Sequence, residues 1–451
     1  MAGLNPTKHT LVRSFIKDNP KRMAEMLAAY SSPLHIIFPQ ILAENIDRFT
    51  RVMSNCGLGA DGVFFSCKAN KSNAFIETAC HKGIGVEVSS YYELRDALSR
   101  GVLGSQIICG GPGKTPRYLI LALTSGSTIS VDSRSELSQI IGLCKRSGRR
   151  ANTLLRIGNV VHESRFGIAV PIDSQIMNLI SRNRRVVEVR GFSGHLNTFK
   201  VEDRLHLLMK LLELCKQFRE LGYVNCNTVD IGGGFTAEYT TEKEWKSYDK
   251  TREEYWNNRT FTRYYPYYYE LSGTAGLQYI LDHVKGGKPL SELLRVGAFR
   301  LVVESGESLL DQAGITVMRI ADVKALRQGT LIIVDGNMNH MSERLYEADF
   351  LLSPELLSSG KRGVPFEGFV AGNSCMEEDI ITWHKICLPM TPTRGDLLVY
   401  YNTAAYLMDS NESEFTRMPF PRKMCALRDR NEWKAYDDES FSQVAFLEMS
   451  E

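Results

Sequence analysis

The sequence lacks the features that mark several large classes of protein. Its 54 Lys and Arg residues nearly balance its 52 Asp and Glu residues, so no charge excess points to nucleic acid or to an anionic membrane surface as a partner. No apolar run approaches the roughly 18 residues that a membrane-spanning helix needs. The ten cysteines form no C-x-x-C pair and follow no regular spacing. This argues against a disulfide framework and against a zinc site. A small molecule is the expected partner.

The beginning of the chain also lacks a recognisable targeting segment. Residues 1–9 read Met-Ala-Gly-Leu-Asn-Pro-Thr-Lys-His, without the apolar stretch of a secretory signal peptide. Together with the scattered cysteines, this predicts a protein of the reducing cytoplasm. At 451 residues, the chain is too long for a single small core, and two or more domains are expected.

Short β-branched and apolar runs recur along the chain, with helical stretches between them, and most end at a polar or glycine-rich residue. This alternation predicts a (β/α)8 TIM-type barrel, in which the carboxyl ends of the strands form the active-site face. Eight runs fit the pattern: Val63–Cys67, Gly85–Val88, Ile107–Cys109, Thr128–Val131, Thr153–Ile157, Val189–Ser193, Thr228–Ile231 and Arg300–Val303.

After Glu304 the pattern changes to strand-rich segments separated by Gly, Pro and Asn turns. We therefore predict an α/β barrel at residues 41–305 and a second, β-rich domain of sandwich or barrel-like form at residues 1–40 plus 306–451. An insertion at about residues 236–276 interrupts the barrel and contains Tyr264-Tyr-Pro-Tyr-Tyr-Tyr269. Two interpretations stay open for it: packing on the surface or on a subunit partner, or a lid that shapes the substrate site.

Residues at the predicted strand ends carry cofactor chemistry. Lys68 ends the first run, and its amine can form a Schiff base with an aldehyde. The glycine triplet Gly232, Gly233 and Gly234 would let backbone N–H groups approach an anion closely, because glycine has no Cβ and tolerates positive φ. A second glycine-rich stretch, Gly110–Thr115, looks like a nucleotide P-loop, but Ile108 occupies the position of its first glycine, so we reject that interpretation.

Two further strand-end residues complete the set. Glu304 can hold a proton on a heteroaromatic nitrogen, and His195 can stack on a planar ring. Either one alone is also explained as a structural residue. Taken together, an amine, a ring face, a phosphate cradle and a nitrogen partner are the parts that pyridoxal 5'-phosphate needs.

At these residues the chain resembles the pyridoxal-phosphate enzymes of the alanine racemase-like barrel fold (fold type III), in the ornithine and diaminopimelate decarboxylase branch. The resemblance covers most of the chain. The matching segments are Lys68-Ala-Asn70, Glu87-Val-Ser-Ser-Tyr-Tyr-Glu93-Leu94, Ser164-Arg-Phe-Gly167, His195, Asp230-Ile-Gly-Gly-Gly-Phe235, Gly372-Asn-Ser-Cys-Met-Glu-Glu-Asp379, Gly395–Val399 and Ala404-Ala-Tyr406.

The resemblance implies a decarboxylase mechanism and a set of contacts. Lys68 would hold pyridoxal 5'-phosphate as an aldimine, with His195 on its ring and Glu304 on its ring nitrogen. Cys375, contributed by the other subunit, would reprotonate the substrate carbon, which implies a homodimer with shared active sites. The remaining predicted cofactor contacts are Glu87, Arg156, Thr198, the glycine triplet and Tyr406.

Two departures from the family pattern bear on the substrate. Glu307 stands where the family has an arginine that assists the phosphate, so another cation or further backbone contacts must replace it. Met376 follows Cys375, where the ornithine and diaminopimelate enzymes carry an acid for the distal amino group of the substrate. Ornithine, lysine and diaminopimelate are therefore not the expected substrates. Arg344, Met376 and Asp379 are the predicted substrate residues, and Arg344 would bind a substrate carboxylate.

Two other functions fit the same residues. A racemase or epimerase would use Lys68 and Cys375 as acid and base on opposite faces of the substrate carbon. A non-catalytic cofactor-binding regulatory homologue would also fit the departures at Glu307 and Met376. We favour decarboxylation of an amino acid or an amino-acid derivative.

Overall fold

A computed structural model describes residues 3–161, 163–248, 254–261, 265–341, 348–358, 363–430 and 432–441. The chain divides into two compact units. One unit comprises Ala43–Thr236 and Leu271–Leu309, and the other comprises Met1–Leu42, Ala237–Glu270 and Leu310–Glu451. The segment predicted as an insertion in the barrel thus groups largely with the second unit. No helix of the described residues is long and apolar enough to cross a membrane.

The first unit is a closed barrel of eight parallel strands, which confirms the predicted fold class. Every predicted run overlaps one of these strands. Numbered along the chain, the strands are β2 (Val63–Ser66), β3 (Gly85–Val88), β4 (Ile107–Cys109), β5 (Thr128–Val131), β6 (Ala151–Arg156), β7 (Val187–Ser193), β8 (Thr228–Asp230) and β11 (Arg300–Ser305). Strand β11 closes the barrel by pairing with both β2 and β8. Phe64, Ile108, Leu154 and Val302 form a buried cluster.

Helices alternate with these strands, and polar caps fix where they begin. Ser90, Thr115 and Ser133 each accept a backbone N–H from the first turn of the helix that follows. The helices are α3 (Pro39–Asn55), α4 (Asn73–His81), α5 (Tyr91–Ser99), α6 (Pro116–Ser125), α7 (Arg134–Ser147), α8 (Ser174–Arg182), α9 (Val201–Glu220), α11 (Gly273–Asp282) and α12 (Leu290–Val296). A short hairpin joins β9 (Val284–Lys285) to β10 (Lys288–Pro289).

The second unit is built on a nine-stranded mixed sheet, as the predicted β-rich domain requires. Its strands are β1 (Leu34–Ile37), β12 (Gly314–Leu326), β13 (Gly329–Val334), β14 (Glu355–Leu357), β15 (Phe366–Ala371), β16 (Ile380–Leu388), β17 (Leu397–Tyr401), β18 (Arg422–Asp429) and β19 (Glu432–Asp437). Strand β1 lies between β12, to which it is antiparallel, and β18, to which it is parallel. The described helices of this unit are α1 (Thr10–Asp18), α2 (Pro20–Tyr30) and α10 (Glu242–Ser247).

The tyrosine-rich segment forms part of the core of the second unit. Tyr239, Tyr265 and Tyr267 are buried, and their ring centroids lie 5.3 to 5.7 Å from one another. The Tyr267 hydroxyl donates to the carbonyl of Asp349 (3.1 Å) and accepts from the N–H of Leu351 (2.9 Å). Packing therefore accounts for these tyrosines. Tyr264, from the same cluster, lies outside the described residues.

Gly110–Thr115, the glycine-rich stretch that is not a P-loop, has a structural role in the barrel. The Lys114 ammonium group is 1% exposed, donates to the carbonyls of Gly111 (2.7 Å) and Ser130 (2.6 Å), and lies 3.2 Å from both carboxylate oxygens of Glu136. Burial lowers the pKa of Lys114, although the nearby Glu136 carboxylate opposes that change. The lysine that a P-loop would direct at a phosphate is held inside the barrel wall instead.

Removing the partner of Lys114 should destabilise the protein strongly. Glu136→Ala would leave a buried ammonium group without its carboxylate, and we expect the free energy of unfolding in urea to fall by about 3 to 5 kcal/mol. Asp47→Ala is the control, because it removes the partner of Lys82 in a solvent-exposed pair (2.7 Å). That change should cost about 1 kcal/mol or less. Equal losses in the two variants would contradict a structural role for the buried pair.

Candidate active site

A cavity of ≈ 340 Å³ lies within the barrel unit, lined by residues at and after the carboxyl ends of the strands. Five of the predicted cofactor residues line it: Lys68, Glu87, Arg156, His195 and Glu304. The glycine triplet follows β8, and the N–H of Gly233 donates to the ring of His195. The barrel therefore gathers the parts that the sequence had placed far apart.

Lys68 lies in a single 3-10 turn after β2, opposite a buried carboxylate. Its Nζ is 3.8 Å from Oε2 of Glu87, which also accepts a hydrogen bond from Ser66, while Oε1 accepts one from Ser89 (2.7 Å). Burial opposes ionisation of Glu87, but Lys68 and the two hydroxyl groups outweigh it, so the pKa of Glu87 is lowered. Glu87 is thus a fixed negative charge that orients the lysine amine.

Glu304 and Asp230 are two interacting carboxyl groups whose pKa values are raised, in contrast to the lowered pKa of Glu87. Burial, and then the neighbouring charges of Asp230 and Glu87, raise the pKa of Glu304 well above its ordinary value. Burial also raises the pKa of Asp230 to about 6, although its Oδ1 accepts the N–H of Gly232 (2.9 Å). Because ionisation of Glu304 is unfavourable here, its carboxyl group suits a ligand atom with which it can share its proton. The ring nitrogen of pyridoxal phosphate is such a partner.

His195 presents a neutral ring. Its Nδ1 accepts the N–H of Gly233 (3.3 Å), so the ring proton is on Nε2. Burial, followed by the charges of Lys68, Arg156 and Arg204, lowers the pKa of His195 well below its ordinary value. A neutral, oriented imidazole can cover the face of a flat cofactor without adding charge.

The glycine triplet is a tight loop in which other residues would be strained or would clash. Gly232 and Gly234 have φ of 67° and 81°, and a Cβ at Gly233 would lie 2.4 Å from the carbonyl oxygen of Glu304. Such a loop can bring peptide N–H groups close to an anion. The cavity residues therefore suit the aldehyde, the ring face and the ring nitrogen of pyridoxal phosphate, and the glycine loop bonded to His195 suits its phosphate.

Comparison with known proteins agrees with this fit. Residues 43–261 match the family of pyridoxal-dependent decarboxylases, in its pyridoxal-binding domain. A diaminopimelate decarboxylase of Zymomonas mobilis is 23% identical over 87% of this chain and 86% of its own. The chain belongs to the pyridoxal-dependent decarboxylases. Its cofactor is pyridoxal 5'-phosphate.

Two further similarities describe how this decarboxylase relates to others. It is 32% identical to the uncharacterized protein y4yA of Sinorhizobium fredii, over 95% of this chain and 94% of that protein. The crystal structure of diaminopimelate decarboxylase from M. jannaschii with L-lysine has a TM-score of 0.72 at 20% identity, and the alignment covers 92% of this chain and 91% of that one. The low identities fit a divergent member of the family.

The remaining predicted residues of the decarboxylase are placed as follows. Thr198 donates to Asp203 (2.9 Å) and accepts the N–H of Lys200 (3.1 Å). Its hydroxyl therefore fixes the backbone at the start of α9. Cys375, Met376, Asp379 and Tyr406 belong to the second unit. Arg344 lies outside the described residues.

Asp379 holds the loop that carries Cys375. Its carboxylate accepts the N–H groups of Met338 (2.7 Å) and Ser374 (2.9 Å), and Cys375 itself is exposed. A Cβ at Gly372 would lie 2.3 Å from this carboxylate, which explains the glycine. The contacts of Asp379 in this structure are therefore with the backbone of its own unit.

The cavity also contains residues that the sequence-based selection of site residues omitted. The guanidinium groups of Arg156 (4.4 Å) and Arg165 (3.9 Å) both lie over the Phe166 ring. Arg156 is also 3.6 Å from Asp132, whose carboxylate accepts the N–H of Gly167 (3.0 Å). The Arg165-Phe166 pair, within a family motif that follows a strand, was the available signal for these residues.

Glu93 gives the cofactor-free protein a pH-dependent stability. Its carboxylate accepts the N–H of Ser89 (2.6 Å), and burial, followed by the charge of Glu87, raises its pKa to about 7. A group with a raised folded-state pKa stabilises the fold fully below its unfolded-state pKa. That stabilisation is lost as the pH rises towards the folded-state value.

Glu93→Gln should therefore become more favourable as the pH rises. Between pH 4.5 and pH 7, we expect the unfolding free energy of the cofactor-free variant, minus that of wild type, to increase by about 2 to 3 kcal/mol. Urea unfolding at a series of pH values measures this difference. At the partly exposed Glu292, the hydrogen bond from Lys288 lowers the pKa, so Glu292→Gln should show the opposite, weaker trend. A flat difference for Glu93→Gln would contradict the raised pKa.

Proposed function

We propose that this decarboxylase removes the α-carboxylate of an amino acid, or of an amino-acid derivative, whose side chain ends in a group other than an ammonium ion. The observation that supports it best is the gathering of Lys68, Glu304 and His195 around one cavity, beside the glycine triplet. Each provides one contact that pyridoxal phosphate needs. Cys375 provides the proton donor that the reaction needs at its end.

Each residue has a separate part in the proposed reaction. When bound, the cofactor supplies an electron sink for the bond that releases CO2. The Lys68 amine anchors its aldehyde, and Glu87 keeps that amine oriented. Glu304 holds a proton at the ring nitrogen, while the neutral His195 ring covers one face and excludes water. The thiol of Cys375 delivers a proton to the substrate α-carbon.

The substrate class follows from the residue after Cys375. An ammonium group brought out of water needs a carboxylate or several oxygen acceptors, because an uncompensated buried charge is very costly. Met376 has a thioether, which is a weak acceptor without charge. Its presence supports a substrate whose side chain does not end in an ammonium group, and not ornithine, lysine or diaminopimelate. A contact between Arg344 and a substrate carboxylate remains a prediction.

We extend the proposal to assembly and compartment. In the family that this chain resembles, the reprotonating cysteine comes from a second subunit, which supports a homodimer with two shared active sites. All ten cysteines are free thiols. This supports a reducing, cytoplasmic location.

Two variants separate cofactor anchoring from proton delivery. Lys68→Ala should lose the visible absorbance band of lysine-bound cofactor and all decarboxylation. Cys375→Ala should keep the band, because it leaves the anchor intact, and should lower the rate of amine formation by about a hundredfold or more. Absorbance spectra and CO2 release against a panel of amino acids measure the two effects. Deuterium incorporation at the α-carbon without CO2 release would instead identify a racemase.

Met376→Asp tests the substrate assignment. A carboxylate after Cys375 could bind a distal ammonium group, and we expect measurable decarboxylation of lysine or ornithine to appear, with activity towards the native substrate reduced. Glu377→Gln, next in the chain, is the matched control and should change neither activity. Wild-type protein that already decarboxylates ornithine, lysine or diaminopimelate efficiently would contradict the proposed substrate class.

A further inference from the structure

Arg204 is a fully buried arginine directly behind the glycine triplet. It lies in the first turn of α9, and its side chain is among the largest that are completely enclosed. Its guanidinium group donates to three carbonyl oxygens: Nε to Gly233 (2.8 Å), Nη2 to Thr198 (2.6 Å) and Nη1 to Lys200 (3.0 Å). One side chain thus joins the glycine loop to the segment between His195 and α9.

The packing against the loop is close enough to restrict its sequence. A Cβ at Gly234 would lie 1.8 Å from Nη2 of Arg204. Gly234 also has a φ of 81°, which other residues rarely adopt. The last glycine of the triplet therefore accommodates both a backbone turn and the guanidinium group behind it.

The bonds that Arg204 makes determine where peptide N–H groups point. In a trans peptide the N–H is directed opposite to the C=O. Holding the carbonyls of Gly233, Thr198 and Lys200 therefore directs the N–H groups of Gly234, Phe199 and Val201 away from Arg204. A cation on the carbonyl also polarises each peptide, which makes its N–H a stronger donor to an anion.

The charge of Arg204 also reaches the cavity. It is one of three cations that lower the pKa of His195, whose ring lines the cavity. The position at which the resembled family has its phosphate arginine is occupied here by Glu307, which is buried. A cation elsewhere is needed if the phosphate is to be held with comparable strength.

We propose that Arg204 is the positioning residue for the cofactor phosphate in this chain: it orients and polarises the N–H groups of Gly234, Phe199 and Val201, and it adds positive charge behind them. Arg204 thereby supplies the positive charge that the family arginine supplies elsewhere. The inference rests on the cofactor, and not on the proposed substrate or on the proposed role of Cys375.

The same helix offers a matched control. Arg219, in the last turn of α9, also donates to three carbonyl oxygens, those of Cys226 (3.0 Å), Gly297 (2.8 Å) and Ala298 (3.3 Å). Like Arg204, it lies over a phenylalanine ring. None of its three acceptors belongs to the glycine triplet or to residues 198–200. Arg204→Met and Arg219→Met therefore remove similar structural contacts from the two ends of one helix.

The experiment compares binding of pyridoxal phosphate with binding of pyridoxal, which lacks the phosphate. Equilibrium dialysis of each cofactor-free full-length protein gives both dissociation constants without using activity. Arg204→Met should weaken pyridoxal phosphate binding by roughly tenfold or more, as expected for a lost charge-assisted contact, and should change pyridoxal binding by about twofold or less. Arg219→Met should leave the ratio of the two constants unchanged. If Arg204→Met does not fold, Arg204→Lys should also weaken pyridoxal phosphate binding relative to pyridoxal binding, because an ammonium group cannot reproduce the planar fork.

The inference would be overturned if a folded Arg204 variant bound pyridoxal phosphate and pyridoxal with an unchanged ratio of dissociation constants, whether both affinities stayed the same or both fell equally. Visible spectra of the same samples separate this result from the proposed role of Lys68. Wild type that binds pyridoxal phosphate without showing the band of lysine-bound cofactor would refute that role alone. The dialysis ratio would still decide the role of Arg204.

Discussion

The closure of the barrel by β11 is the constraint on which the site depends. This strand, although far from β2 in sequence, pairs with β2 on one side and with β8 on the other, with Glu304 opposite Phe64 and Val302 opposite Asp230. The pairing brings together the carboxyl ends of three strands, and with them Lys68, Glu304 and the glycine triplet. Parallel register leaves little freedom, because a shift by one residue would turn Glu304 away from the cavity.

Within this frame the site handles its acids in different ways. Lys68 and two hydroxyl groups outweigh burial and lower the pKa of Glu87, whereas burial and the charges of Asp230 and Glu87 raise the pKa of Glu304 despite the opposing charge of Lys68. The difference suits a cofactor with an aldehyde at one end and a basic ring nitrogen at the other. The neutral His195 between the two regions adds no competing charge. The distribution of charge in the site, as well as the shape of the site, therefore suits this cofactor.

Much of the barrel and its cofactor site could be predicted because strand-end residues are adjacent in sequence to the runs that position them. Lys68 and Glu304 follow or end recognisable strands, so the fold alone brings them together. Arg204 could not be found in this way, since a single arginine in an amphipathic helix looks like a solvent-facing residue. The sequence also did not reveal that the tyrosine-rich segment belongs to the second unit, because Asp349 and Phe350, the partners of Tyr267, come about 80 residues later in the chain. Local pattern carries no information about such distant packing.

The position of β1 has a consequence for how the chain is made. Leu34–Ile37 pairs on one side with Gly314–Val317 and on the other with Arg422–Cys425. During synthesis this early strand leaves the ribosome long before either neighbour exists, and the entire barrel is made in the interval. Its two edges must wait until residues 314–317 and then residues 422–425 have been made, so contacts of very high sequence separation complete the second unit. Assembly of this sheet therefore follows synthesis of the barrel, which can close as soon as β11 has emerged.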